Sequence, residues 1–151
     1  MNRVKKLQIQ HLDKEIASYA KIPDAPSKGW IQAIRNSINM TLRQMGKSMG
    51  IAPSNVLDME RREIDGTISL KTLRKAADAL NMKVVYGFLP KDGSIEKMIE
   101  NRALIIARKI VSQTDITMKL EDQQVSKQRL EKSIKELAEE IKNELPKYLW
   151  D

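Results

Sequence analysis

Apolar residues recur at three- and four-residue intervals over most of this chain, and the sharpest run is Thr41 to Arg62, TLRQMGKSMGIAPSNVLDMERR. Leu42, Met45 and Met49 share one face of a helix that Thr41 is suited to cap, because its hydroxyl accepts from first-turn amides. Gly50 follows the last apolar position, where a sharp turn needs positive φ and a Cβ would cost energy. Ile51 plugs the corner. Pro53 suits the first turn of a second helix, and Val56 and Met59 supply its inward face to about Arg61. Gly46 lies one turn before Gly50, where two helices crossing through a tight turn come closest. The pattern predicts a helix-turn-helix. An ordinary αα-hairpin shares the spacing and the turn glycine, but the joint placement of Gly46, Gly50, Ile51, Val56 and Met59 beside a basic face favours the DNA-binding motif.

The same periodicity predicts helices on both sides. Asn2 to Ala20 carries Leu7, Leu12, Ile16 and Tyr19, followed by the breaker stretch Pro23 to Gly29. Trp30, Ile31, Ile34 and Ile38 form the next amphipathic helix, and Asn39 suits a left-handed cap. After Arg62, the segment Glu63 to Thr67 reads as a loop with an Asp65-Gly66 turn. Ser69 then caps a helix with Leu70, Leu73, Ala76, Ala77 and Leu80 inward, ended by Asn81. Methionines 40, 45, 49, 59 and 82 suit the irregular space between short helices, as core filler and not as a metal or cofactor box.

Lys83 to Pro90, KVVYGFLP, breaks the helical period: it is a short β-branched and aromatic run, and the one convincing strand. A lone strand leaves backbone groups without partners, and no second run of similar quality exists. Pairing of Val84, Val85, Tyr86 and Phe88 with the same strand of a second copy would make a homodimer, which also suits the reading of a palindrome. An edge segment packed on its own domain is the other possibility.

From Ser94 there is no glycine or proline until Pro146, which predicts a long helical region. Ile95, Ile99, Ala103, Ile106 and Ile110 keep the helical step, and Leu104, Ile105 and Val111 widen the apolar surface, so burial on more than one side is expected. Thr114 to Asp122 either continues this helix or interrupts it. Ser126 caps a last helix, with Val125 and Leu130 as a staple. Its stripe is Leu130, Ile134, Leu137, Ile141 and Leu145, with Glu131 and Lys135 as an i, i+4 pair; packing within the chain and packing on a partner helix both remain open. Three regions result: an N-terminal helix (1–22), a helix-turn-helix domain with its terminal strand (29–91), and a C-terminal helical region (94–151).

Charge sharpens this division. Residues 1 to 91 hold 16 basic and 8 acidic side chains, whereas 92 to 151 hold 11 and 12. The positive field therefore sits with the motif, and such a field draws polyanions by counterion release. The chain has no cysteine, which excludes disulfides, thiolate metal sites and a cysteine nucleophile. No apolar run reaches the roughly 20 residues that cross a bilayer, and Met1 to Leu12 is too polar for a signal peptide, so no membrane partner and a cytoplasmic location are expected. His11 is the only histidine. With no HExxH, phosphate-cradling glycine loop or nucleophile elbow, no enzyme activity, catalytic residue, cofactor or metal is expected.

The segment GWIQAIRNSINMTLRQMGKSMGIAPSNVLDMERR resembles the Xre/Cro-type helix-turn-helix family. Its continuation GTISLKTLRKAADALNMKVVYGFLPK, with LEDQ at 120–123 and the terminal Leu149-Trp150-Asp151, is similar to the mobile mystery protein A family. Together with the residue pattern, the resemblance gives a mainly α, lambda-repressor-like helix-turn-helix bundle with one short β-strand, expected to pair across a dimer, and a long C-terminal helical extension. The resemblance implies a regulator encoded on mobile elements beside a Fic-domain protein, or an antitoxin-like partner of it, and residues 94–151 are then the candidate segment for neutralising that partner. A helix followed by a terminal strand also resembles HipB-type antitoxins, whose strands pair across a dimer.

The resemblance places Pro53, Ser54, Asn55 and Asp58 at positions that face base edges of double-stranded DNA, with Leu57 near thymine methyl groups. Asn55 suits adenine, and Asp58 suits either a cytosine amino group or a salt bridge to a neighbouring arginine. Thr41, Arg43, Gln44 and Lys47, with Arg61, Arg62 and Lys71, become candidate phosphate contacts, which position rather than specify. Leu42 stands where a glutamine often contacts DNA. Together with Pro53 and the anionic Asp58, it separates this chain from the common pattern.

Overall fold

The computed structural model describes residues 1–120 and 127–151, and the elements among them are helical. They are α1 (Arg3–Ala17), α2 (Trp30–Ser37), α3 (Leu42–Met49), α4 (Pro53–Asp65), α5 (Leu70–Ala79), α6 (Ile95–Leu120) and α7 (Lys127–Glu144), then a 3-10 turn at Lys147–Trp150. The chain divides into two units, Ile22–Tyr86 and a second built from Met1–Lys21 with Gly87–Asp151. The N-terminal helix thus shares a unit with the C-terminal helices.

In the unit Ile22–Tyr86, each boundary has a chemical cause. The Thr41 side chain accepts from Gln44 N–H while the Gln44 side chain accepts from Thr41 N–H, a reciprocal cap on α3. Gly50 ends α3 at φ 69°, and Pro53 opens α4. Asn39 and Asn81 adopt φ 57° and 55° after α2 and α5, and Ser69 accepts from Thr72 N–H to start α5. Ile31, Met45, Val56, Met59, Ala76 and Leu80 form the core, with Ile34, Leu42, Met49, Ile51 and Leu73 packed around it.

Several expectations in this unit are corrected. Helix α4 runs to Asp65, one turn beyond Arg61, so Asp65-Gly66 is not a loop turn. Gly66 caps α4 at φ 76°, and Thr67 and Ile68 N–H donate back to Arg62 C=O at 2.9 and 3.2 Å. Trp30, Ile38, Leu70 and Met82 are exposed. Each lies at or beside a helix end, where the apolar stripe runs past the area its neighbours cover. Lys83 to Pro90 forms no strand, and there is none among the described residues. A strand is defined by its ladder, and this segment meets no ladder partner within one chain.

In the second unit, α6 and α7 pack antiparallel through Ile99, Ala103, Ala107, Ile134, Ala138 and Ile141, with Leu149 completing the core. The alanines let the two backbones approach. The α7 stripe is therefore consumed within the chain, and Glu131 reaches Arg108 of α6 at 3.2 Å. Arg102 holds the last turn, its Nε donating to Leu149 C=O at 2.6 Å and its NH2 to Asp151 C=O. On α1 it is Ile9 that packs against this core, while Leu7 and Leu12 are exposed. Asp13 accepts from Ile95 N–H at 2.7 Å and Glu96 N–H at 3.1 Å, capping α6. Leu104 and Val111 pack on this core and widen the buried face of α6, whereas Met98, Ile105 and Ile110 are exposed. The helix continues through Thr114 to Leu120. Glu121, Asp122 and the Val125–Ser126 cap and staple lie outside the described residues.

Candidate nucleic-acid interface

The geometry of the site begins with Gly46. A Cβ at this position would lie 2.6 Å from Ile51 carbonyl oxygen, so only glycine lets α3 run flush against the turn that launches α4. Helix α4 is then fixed from behind. Glu60 on its buried face accepts from Arg35 of α2, and one turn later the Glu63 carboxylate accepts from Trp30 N–H at 2.8 Å and Ile31 N–H at 2.9 Å. The second contact places an anion on the N-terminus of α2, the favourable end of its dipole.

With Val56, Met59 and Glu60 buried, the opposite side of α4 is committed to solvent. Pro53, Ser54, Asn55, Leu57, Asp58, Arg61 and Arg62 are all exposed there. Ser54, Asp58 and Arg61 fall on its outermost line, three or four residues apart. Asn55 and Arg62 flank this line on one side, Leu57 on the other. Asp58 is not isolated: its Oδ2 lies 3.1 Å from NH2 of Arg62.

Thr41, Arg43, Gln44, Lys47 and Lys71 are likewise exposed. Thr41 and Gln44 spend acceptor atoms on their capping box, which leaves the hydroxyl proton and the amide NH2 as donors for an anion. An open groove of about 770 Å³ runs beside α4, and its polar lining includes Ser48, Asn55, Asp58, Arg62, Thr72 and Lys75. Lys75 is an addition to the residues read from sequence. Its signal was the i, i+4 spacing from Lys71 on the exposed side of α5. Arg35, Glu60 and Glu63 were missed as well. The unit Ile22–Tyr86 holds ten basic and six acidic side chains, a net +4. Since Arg35 and Glu60 cancel in the interior, this excess belongs to the surface.

Of the segment expected to pair between copies, Val85, Tyr86 and Phe88 are exposed and Val84 is half-buried. No helix among the described residues is long and apolar enough to cross a membrane.

Two helices joined at a glycine turn, with the second braced behind and bare in front, define a DNA-binding helix-turn-helix domain. Residues 31–86 match the helix-turn-helix family model, and this part of the chain is an Xre/Cro-type helix-turn-helix domain. Searches of curated proteins and of solved structures returned no match.

Proposed function

We propose that this protein is a sequence-specific transcriptional regulator that binds double-stranded DNA as a homodimer and represses the mobile-element operon that encodes it. The observation that carries this reading is the exposed early face of α4, with Ser54 and Asn55 at its N-terminal end and the whole helix braced through Glu60 and Glu63. Such a face reads base edges in the major groove, while Arg43, Lys47, Arg61 and Lys71 reach phosphates. A dimer occupying an operator excludes the polymerase.

The dimer draws support from residues 83–89. Among the described residues none of these seven has a hydrogen-bond partner, and Val85, Tyr86, Phe88 and Leu89 are exposed. Antiparallel pairing with a second copy would satisfy the backbone and cover the apolar side chains together. Neutralisation of a Fic-domain partner draws less support, because the α7 stripe first open to a partner is packed against α6.

A gel-shift titration with the DNA upstream of the gene tests the reading. Sub-micromolar, sequence-selective binding that is lost in the Arg43→Ala/Asn55→Ala double variant is expected; unselective binding would overturn it. Light scattering tests the dimer, with Phe88→Asp expected to give a monomer. A wild-type monomer at all concentrations rejects it.

A further inference from the structure

We infer that Asp58 is a positioning residue that presents the guanidinium of Arg62 to a guanine edge, so that the two together read a G·C base pair. This rests on the DNA-binding reading above. A carboxylate on the outermost line of a DNA-reading helix needs an explanation, because it faces a polyanion and matches only amino groups among the base donors. The structure supplies one in the 3.1 Å contact between Asp58 Oδ2 and Arg62 NH2. Helical side chains lean toward the N-terminus, so an arginine one turn later is carried forward to the level of Asp58. There it lines the same groove as Asn55.

The chemistry of the fork decides the role. Asp58 Oδ2 lies against one nitrogen of the guanidinium, NH2, as an ion pair, and the other N–H donors are left to meet guanine O6 and N7 in parallel. A phosphate can also accept from such a fork, so base selectivity, which a phosphate contact does not confer, separates the two roles. Arg61, the adjacent cation, has no ion-pair partner among the described residues and serves as the comparison. Both members of the pair are more than half exposed, so its contribution to stability is small and substitutions leave the fold in place.

The test is selection of bound duplexes from a randomised library by the full chain, followed by titration of the selected site and its single-base variants. The wild type is expected to select one guanine whose replacement weakens binding at least about 5-fold. Arg62→Ala and Arg62→Lys each abolish discrimination at that position and leave the others intact. Asp58→Asn, which keeps the shape and removes the charge, reduces discrimination at the same position several-fold. Arg61→Ala weakens binding to every site alike. Thermal melts within a few degrees of wild type show that the variants are folded.

A guanine preference that survives Arg62→Ala overturns the assignment. So does Asp58→Asn acting at a position that Arg62 does not control, or having no effect on base preference. A wild-type chain that selects no site at all overturns the DNA-binding reading itself, and the assignment with it.

Discussion

Arg35 and Glu60 meet inside the helix-turn-helix unit, 8% and 2% exposed, with Nε 2.6 Å from Oε1 and NH2 3.3 Å from Oε2. The third nitrogen of the fork donates to Met40 C=O at 2.9 Å. One side chain of α2 therefore holds both α4 and the chain leading into α3. A buried pair of this kind adds little net stability over an apolar pair, but it fixes geometry, since each charge has only one satisfactory position.

Breaking one half of that pair leaves the other charge buried alone. Glu60→Ala is expected to lower unfolding free energy by about 3–5 kcal/mol, and the joint change Arg35→Met/Glu60→Leu to recover most of the loss. Urea titrations of the three chains measure both. A loss below about 1 kcal/mol in Glu60→Ala would show that the pair does not lock the helices.

Gly46 and Gly66 separate two reasons for glycine. At Gly46 an added Cβ meets backbone at 2.6 Å, whereas at Gly66 it meets open space and only the φ of 76° is unfavourable. Gly46→Ala should cost about 1–3 kcal/mol through overpacking and also weaken DNA binding by displacing α4. Gly66→Ala should cost about 1–2 kcal/mol and leave binding unchanged. Equal binding by the two variants would contradict the role given to the close approach.

The second unit carries a pH-dependent contact. The Glu100 carboxyl is held below its ordinary 4.5, first by the hydrogen bond from Lys142 and then by that from Lys97. Lys142 is raised above its ordinary 10.5 by the same bond to Glu100, with burial opposing. The depressed carboxyl contributes stability that is fully present above pH 4.5 and lost as pH falls through its lower folded-state value. The raised ammonium contributes stability present below pH 10.5 and lost as pH climbs through its folded-state value. Wild type should therefore melt higher than Glu100→Gln at pH 7, with the gap closing well below pH 4.5. A gap independent of pH would reject the pairing as its source.

Lys75 provides a test of the groove. If it meets a phosphate there, Lys75→Ala weakens binding to all sequences alike and reduces the slope of log K against log salt by about 1. Its exposure predicts a melting temperature close to that of wild type. An unchanged slope would place Lys75 outside the interface.

Local chemistry made the motif legible. Thr41, Gly50 and Pro53 act on their own neighbourhoods, so the start, turn and restart were readable from a few residues each. The outward residues of α4 came from the family resemblance, and the burial of Val56, Met59 and Glu60 agrees with their exposure. What escaped were contacts between residues far apart in the chain: Glu60 meets Arg35 from 25 positions away, and Glu63 caps a helix that begins 33 residues earlier. The same limit explains α1, where periodicity alone allowed Leu7 and Leu12 to be the buried face although Ile9 packs. Asp65-Gly66 shows a different failure. An Asp-Gly pair signals a left-handed residue, but that residue can end a helix as readily as bend a loop.

The Asp13 cap on α6 has a consequence for how the chain is made. Residues 1–21 are made before residues 22–94, yet their docking site begins at Ile95, 82 residues after Asp13. By then the whole of Ile22–Tyr86 has been synthesised, and its core, from Ile31 to Leu80, lies entirely within it. Once folded, it shortens the span that must be closed between Asp13 and Ile95, reducing the entropy lost when the first helix finds the last two. An insert that folds first would thus favour the joining of the two segments that flank it.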